Sequence, residues 1–211
     1  MFGTQDFIIF LIAGITLNLI PGPDTMYIIG RSIAQGRHAG FLSVLGISTG
    51  SLVHTTAAAF GLSAILVASA FTFSLIKWAG AAYLIYLGIQ MLFHKPSGTD
   101  EGSREMVRKD LWTIYRQGFV TNLLNPKVAM FFMAFLPQFV APNQASSPLP
   151  YMFLGSVFVS TGTLWCLFVA AVAATGSKKL RTKSSSLKIL HRFTGMLFVG
   201  LGIRLAIQEV R

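Results

Sequence analysis

Residues 41–76 read FLSVLGISTGSLVHTTAAAFGLSAILVASAFTFSLI, without one Asp, Glu, Lys or Arg. Residues 7–29 carry a single acid, Asp24, and no base. Stretches like these suit hydrocarbon, because about 20 apolar residues of helix cross the roughly 30 Å core of a bilayer. Only 11% of the 211 residues are charged, against about a quarter in a soluble domain. The pattern predicts an all-α membrane protein with six transmembrane helices, at about 7–30, 40–62, 71–93, 115–138, 151–174 and 188–207. The opening MFGTQDFIIF has no base before its apolar run and no small-residue cleavage site. The first segment is therefore expected to be a retained span rather than a signal peptide.

The net charge of +10 could suggest a nucleic-acid partner, but its distribution argues against one. Of 17 Lys and Arg, 13 fall in or beside three connections: Arg31 and Arg37; Lys95, Arg104, Arg108, Lys109 and Arg116; Lys178, Lys179, Arg181, Lys183, Lys188 and Arg192. The connections around 63–70 and 141–150 have none. This alternation follows the positive-inside rule. It predicts cytoplasmic basic loops beside anionic lipid, both termini outside the cytoplasm, and no continuous groove for a nucleic acid. The single Cys166 excludes an internal disulfide framework and a multi-cysteine metal site.

The first apolar run is interrupted by NLIPGPDT, residues 18–25. Pro21 and Pro23 lack an N–H and clash with the carbonyl four residues back, and Gly22 lets the chain turn freely. From Phe7 to Ile20 a helix covers only about 21 Å, so the break falls at membrane depth. Carbonyls freed near 17–19 cannot face lipid; they must be buried in protein or line a wet cavity. A second break, Asn125-Pro126, should free carbonyls near Asn122.

The two breaks belong to a weak internal repeat. GITLNLIPGP (14–23) aligns with GFVTNLLNPK (118–127), FLSVLGISTGSL (41–52) with FLGSVFVSTGTL (153–164), and LGI (87–89) with LGI (201–203), in the same order. The expected organisation is one transmembrane domain over 1–211. Its first repeat covers about 1–93, the connection 94–114 forms a seam, and the second repeat covers about 115–211. Three spans per repeat invert the second against the first, with helices 1 and 4 broken. Inverted repeats are a common plan of secondary transporters, whose substrate sites lie between the repeats at interrupted helices.

Asp24 is the only acid inside the six runs and Lys127 the only base deep in one. A carboxylate at helix centre costs about 2.5–3.5 kcal/mol on insertion scales, which points to a role. Asp24 could accept a substrate ammonium or carry a proton; Lys127 could meet Asp24 or a substrate carboxylate. Blander alternatives stand beside these. Asp24 could cap the helix restarting after Pro23, and Lys127 could snorkel to an interface. Asn18 and Asn122 could bond loosened backbone, substrate, or both. His54 shares a small-residue face with Ser43, Gly46, Gly50, Ala57 and Gly61, which reads first as close helix packing.

With these motifs in place, the chain resembles the LysE/RhtB family of amino-acid exporters. The resemblance rests on NLIPGPDTMYIIGRSIAQGRHAGFLSVLGISTG and QGFVTNLLNPKVAMFFMAFLPQF, and extends from about Phe7 to Ile207. It implies multi-pass placement in the bacterial cytoplasmic (inner) membrane and amino-acid efflux, by exchange with protons. The motif residues it brings forward as substrate-binding or coupling positions are Pro21, Gly22, Pro23, Asp24, Asn122, Asn125, Pro126 and Lys127; Asn18 joins them through the internal repeat. Gly-Pro-Asp-Thr at the first break resembles the threonine, homoserine and leucine branch rather than the lysine and arginine branches. Expected partners are a small amino acid, protons and lipid, with self-association into a homo-oligomer left open. No cofactor or metal is expected.

Alternatives are an exporter of basic amino acids or of another small metabolite, a metal-ion carrier, and a membrane-embedded enzyme. No G-x-x-x-x-G-K-[ST] stretch supports ATP hydrolysis. One mid-span His, one Cys and one intramembrane acid are poor material for general acid–base catalysis or for a metal site.

Overall fold

A computed structural model of the chain describes residues 2–62 and 109–175 without a gap, and individual helical positions between 64 and 93 and between 196 and 207. Among the continuously described residues, six α-helices run in the order α1 (Phe7–Leu19), α2 (Pro23–Gln35), α3 (Arg37–Ala57), α4 (Leu111–Leu123), α5 (Pro126–Met130) and α6 (Pro148–Ala174). Helix α3 continues into a π-helical turn, Ala58–Leu62; α5 continues through a π-helical turn, Phe131–Phe135, into a 3₁₀ turn, Leu136–Phe139. The described residues form no strand beyond an isolated bridge between Thr4 and Val140, which ties the N-terminus to the chain after that turn.

Among the described residues two helices, Arg37–Leu62 and Pro148–Ala174, are long and apolar enough to cross a membrane by themselves. Two further spans are bent: α1 with α2, and α4 with Pro126–Phe139, each by 47°. These correspond to four of the six expected spans, with the predicted breaks in the first and fourth. The expected spans at 71–93 and 188–207, the seam 94–114 up to residue 108 and the LGI match lie wholly or largely outside the described residues.

Helix ends extend further than hydropathy suggested, because polar side chains and glycine complete them. Helix α2 reaches Gln35, and Gly36 alone joins it to α3 with φ of 80°, a conformation glycine adopts at little cost. Helix α4 starts at Leu111, where Asp110 accepts bonds from the Thr113 amide (2.8 Å) and hydroxyl (2.6 Å). Those bonds hold the Asp110 carboxyl below its usual range. Arg31, grouped above with connection charges, is instead buried within α2 at 3% exposure. Its guanidinium donates to Gln35 (2.9 Å) and Gln117 (3.2 Å), which is what a buried charge requires.

Helices α3 and α4 meet backbone to backbone. A Cβ at Gly46 would collide with the Tyr115 carbonyl and approach the Phe119 nitrogen to 2.9 Å. One at Gly118 would come within 2.8 Å of the Ser43 carbonyl. In lipid no hydrophobic effect presses helices together, so small residues that allow close van der Waals contact do so instead. The expected stripe holds for Ser43, Gly46 and Gly50. It fails at Ala57, which is exposed, and at Gly61, which has nothing within 4 Å where a side chain would be. Helix α4 ends at Leu123, so it offers the later part of that face no backbone to abut.

A phenylalanine cluster fills the other end of the bundle. Phe131 stacks on Phe158 (4.2 Å) and Phe135 (4.8 Å), and Phe10 meets Phe139 edge-on at 5.4 Å. Such pairs contribute about 0.5–1.5 kcal/mol each beyond their buried area. We expect Gly46→Ala to cost at least about 1–3 kcal/mol by overpacking. Thermal unfolding in detergent should show a lowered Tm for Gly46→Ala and none for Gly61→Ala.

Candidate functional site

At the first break the ring of Pro21 removes the donor that Leu17 would have met. Lys127 supplies the replacement: its Nζ donates to the carbonyls of Leu17 (3.3 Å) and Ile20 (3.1 Å). Gly22 lies directly beside this ammonium, so that a Cβ there would sit 3.3 Å from Nζ. Lys127 thus turns inward and does not snorkel. Nor does it spend its ammonium on Asp24.

At the second break Pro126 likewise leaves Asn122 without its helical donor. The Asn122 carbonyl takes the Asn125 amide (3.0 Å) and lies 3.3 Å from His54 Nε2. His54 also stacks on Phe132. Asn125 caps α5, accepting from the Lys127 amide at 3.0 Å. Helix α5 therefore restarts with the Lys127 side chain aimed at the first break.

The breaks meet directly. Asn122 Nδ2 donates to Asp24 Oδ2 at 2.8 Å, and Ser51 donates to Asn122 Oδ1 at 3.1 Å. Asp24 is not a cap: Gly22 holds the cap position and Asp24 lies in the first turn of α2, where the helix dipole favours an anion. Its second oxygen, Oδ1, is buried and makes no short hydrogen bond, and neither does Asn125 Nδ2, whose side chain acts on the same carboxylate. Asn18 reaches across to α6, donating towards Thr161 Oγ1 (3.3 Å) and the Phe158 carbonyl (3.4 Å).

The asparagine contacts are crossed. A Cβ at Gly50 would come within 2.8 Å of Asn122, and one at Gly162 within 3.0 Å of Asn18. Each Asn of one sequence repeat is seated on the Ser-Thr-Gly glycine of the other.

All nine expected positions stand at the two breaks. Asn18, Asp24, Asn122 and Lys127 line one small cavity of about 50 Å³, joined by Thr25, Ser48, Ser51 and Thr163 on the polar side. Ile47, Val128, Phe158, Val159 and Cys166 form its apolar side. Asn125 is buried behind the cavity, and Gly22 lies against Lys127. Pro21, Pro23 and Pro126 are exposed; they shape backbone and do not line the cavity.

Sequence reasoning passed over Ser51 and Thr163. The repeat alignment contained the signal, because the two occupy the same column, 112 residues apart. Thr163 bonds Ser48 at 2.7 Å across α3 and α6.

Two sets of contacts flank the cavity. The phenylalanine cluster reaches it through Phe158. Elsewhere α2 is fastened to the start of α4: Tyr27 donates to the Ile114 carbonyl (2.8 Å), Arg31 to Gln117, and Gln35 to the Lys109 carbonyl (2.7 Å). Among the described residues no group of three His, Cys, Asp or Glu could hold a metal ion.

Residues 15–209 match the family described as LysE type translocator. The chain belongs to that family. This translocator is 32% identical over 193 residues to the uncharacterized membrane protein YrhP of Bacillus subtilis (strain 168), covering 88% of this chain and 91% of the relative. It is 26% identical over 208 residues to the leucine efflux protein of Enterobacter sp. (strain 638), covering 97% of both chains. It is 24% identical over 205 residues to that of Salmonella choleraesuis (strain SC-B67), covering 97% of this chain and 96% of the relative. No solved structure matches.

Asn122→Ala removes the donor to Asp24 and the acceptor for Ser51, leaving a buried carboxylate with no short hydrogen bond to either oxygen. We expect a loss of about 1–3 kcal/mol or more, read as a fall in Tm of the purified protein. Asn18→Ala, whose bonds are longer, should cost less in the same measurement.

Proposed function

We propose that this translocator exports neutral amino acids, with leucine, threonine and homoserine as first candidates, across the bacterial cytoplasmic membrane in exchange for protons. The observation carrying this reading is the meeting of both helix breaks around a cavity with one carboxylate and one ammonium. A zwitterion has the complementary pair. Asp24 Oδ1 offers the substrate ammonium an acceptor, and Lys127 can turn to the substrate carboxylate. Among the described residues Asp24 is the only acid lining the cavity, so a basic amino acid would bring a second cation without a second anion. The apolar side, Ile47, Val128 and Phe158, suits an aliphatic side chain. The leucine efflux proteins among the relatives accord with this choice.

About 50 Å³ holds one or two waters, less than leucine needs, so on this reading the carrier must widen to load. The crossed Asn18–Gly162 and Asn122–Gly50 contacts support a single transmembrane domain of two inverted three-helix repeats over 1–93 and 115–211. Its basic loops would be cytoplasmic and both termini outside. Release of the α2–α4 fastening would then open the cavity inwards, and parting of the phenylalanines outwards. Asp24, vacated by substrate, is the group placed to take the returning proton. Self-association is compatible with this scheme but not required by it.

Proteoliposomes preloaded with labelled leucine test the proposal. Efflux should accelerate with an inward proton gradient and slow when the gradient is collapsed. Asp24→Asn should lower coupled efflux at least about tenfold, the loss expected when a buried charge partner is removed, with insertion unchanged. Wild-type vesicles that retain every neutral amino acid, or an Asn variant that exports normally, would overturn it.

A further inference from the structure

The Lys127 ammonium occupies a place the transport reading does not explain. It sits on two main-chain carbonyls at the Pro21-Gly22-Pro23 break, Ile20 and Leu17, the second of which also accepts from the Ile20 amide at 3.3 Å. Unwound carbonyls in broken transporter helices are cation ligands. Here the cation belongs to the chain. An ammonium has three donors, and the two carbonyls use two. The neighbouring acceptor is Asp24 Oδ1, buried on the same cavity with no short hydrogen bond and only the Asn125 amide acting on it. The absence of a side chain at Gly22 leaves room for the ammonium, since a Cβ would stand 3.3 Å from Nζ and 3.6 Å from Cε. Gly22 has φ of −144°, which any residue can adopt, so its role here is spatial.

We propose that the Leu17 and Ile20 carbonyls, with Asp24, form a binding site for a primary ammonium ion. In the unloaded carrier Lys127 fills it, and the substrate's α-ammonium replaces Lys127 during transport. The inference rests on the transport reading and deepens it. The lysine acts as a tethered counter-ion: it neutralises the cradle when no substrate is present, then turns to the incoming carboxylate. Amino acids with a free primary ammonium are therefore substrates, and N,N-dimethylated analogues are not.

The test is direct binding of methylammonium to purified protein. Lys127→Ala empties the cradle. It should bind labelled methylammonium at about one per chain, gain roughly 3 °C in Tm at saturating amine, and lose the bound amine to excess leucine. Wild-type protein, whose cradle is filled, should show neither effect. Tetramethylammonium, with the same charge and no N–H, should be inactive, and Asp24→Asn in the Lys127→Ala background should weaken binding at least about tenfold. No methylammonium binding by Lys127→Ala, or equal binding by wild type, overturns the proposal. Should Lys127→Ala fail to fold, Gly22→Ala decides. Its Cβ presses on the seated ammonium and should lower Tm and slow efflux, and a Gly22→Ala protein equal to wild type in both overturns the proposal. Leucine efflux by wild type is measured separately. Its failure condemns the transport reading, whereas normal efflux with no amine site condemns only the cradle.

Discussion

Main-chain carbonyls released from a helix inside a membrane have no water to turn to, and the arrangement of this protein follows from how that need is met. The first break presents Leu17 and Ile20 to a lysine from the second. The second presents Asn122 to a histidine on α3. Neither bent helix can satisfy its own backbone, so neither is complete until the chain has brought sequence-distant segments together. The breaks are thus a structural obligation as well as an opening for chemistry.

The nine residues at the breaks divide into three kinds of work. Prolines and glycine bend the backbone and stay out of the cavity. Asn122 and Asn18 hold each break against a helix of the other half. Asp24 and Lys127 bring opposite charges to one small polar space without a direct hydrogen bond between them. Asp24 shares one oxygen with Asn122, and Lys127 is occupied by carbonyls.

Much of this was legible in the sequence because it depends on local rules. Proline removes a donor wherever it stands, so the freed carbonyls near 17–19 and at Asn122 could be placed before any fold was known. The internal repeat marked Asn18 and Asn122 as equivalent. What could not be read was which partner each group finds. The choice for Lys127 among Asp24, an interface and the carbonyls depends on the direction in which α5 restarts, and that direction is set by the cap at Asn125. Arg31 stands beside its connection as expected, but its burial was not legible, because that depends on Gln117 standing opposite. The small-residue stripe on α3 predicted a close neighbour, but its extent was fixed by where α4 stops.

The glycine contacts between α3 and α4 also have a mechanical meaning. These helices come from opposite halves of the chain, yet Gly46 and Gly118 press their backbones together too tightly for either to slide without the other. Any rocking of one half past the other along that seam would first have to break this contact, whereas the two 47° bends, α1 with α2 and α4 with the segment beyond Asn125, lie outside it.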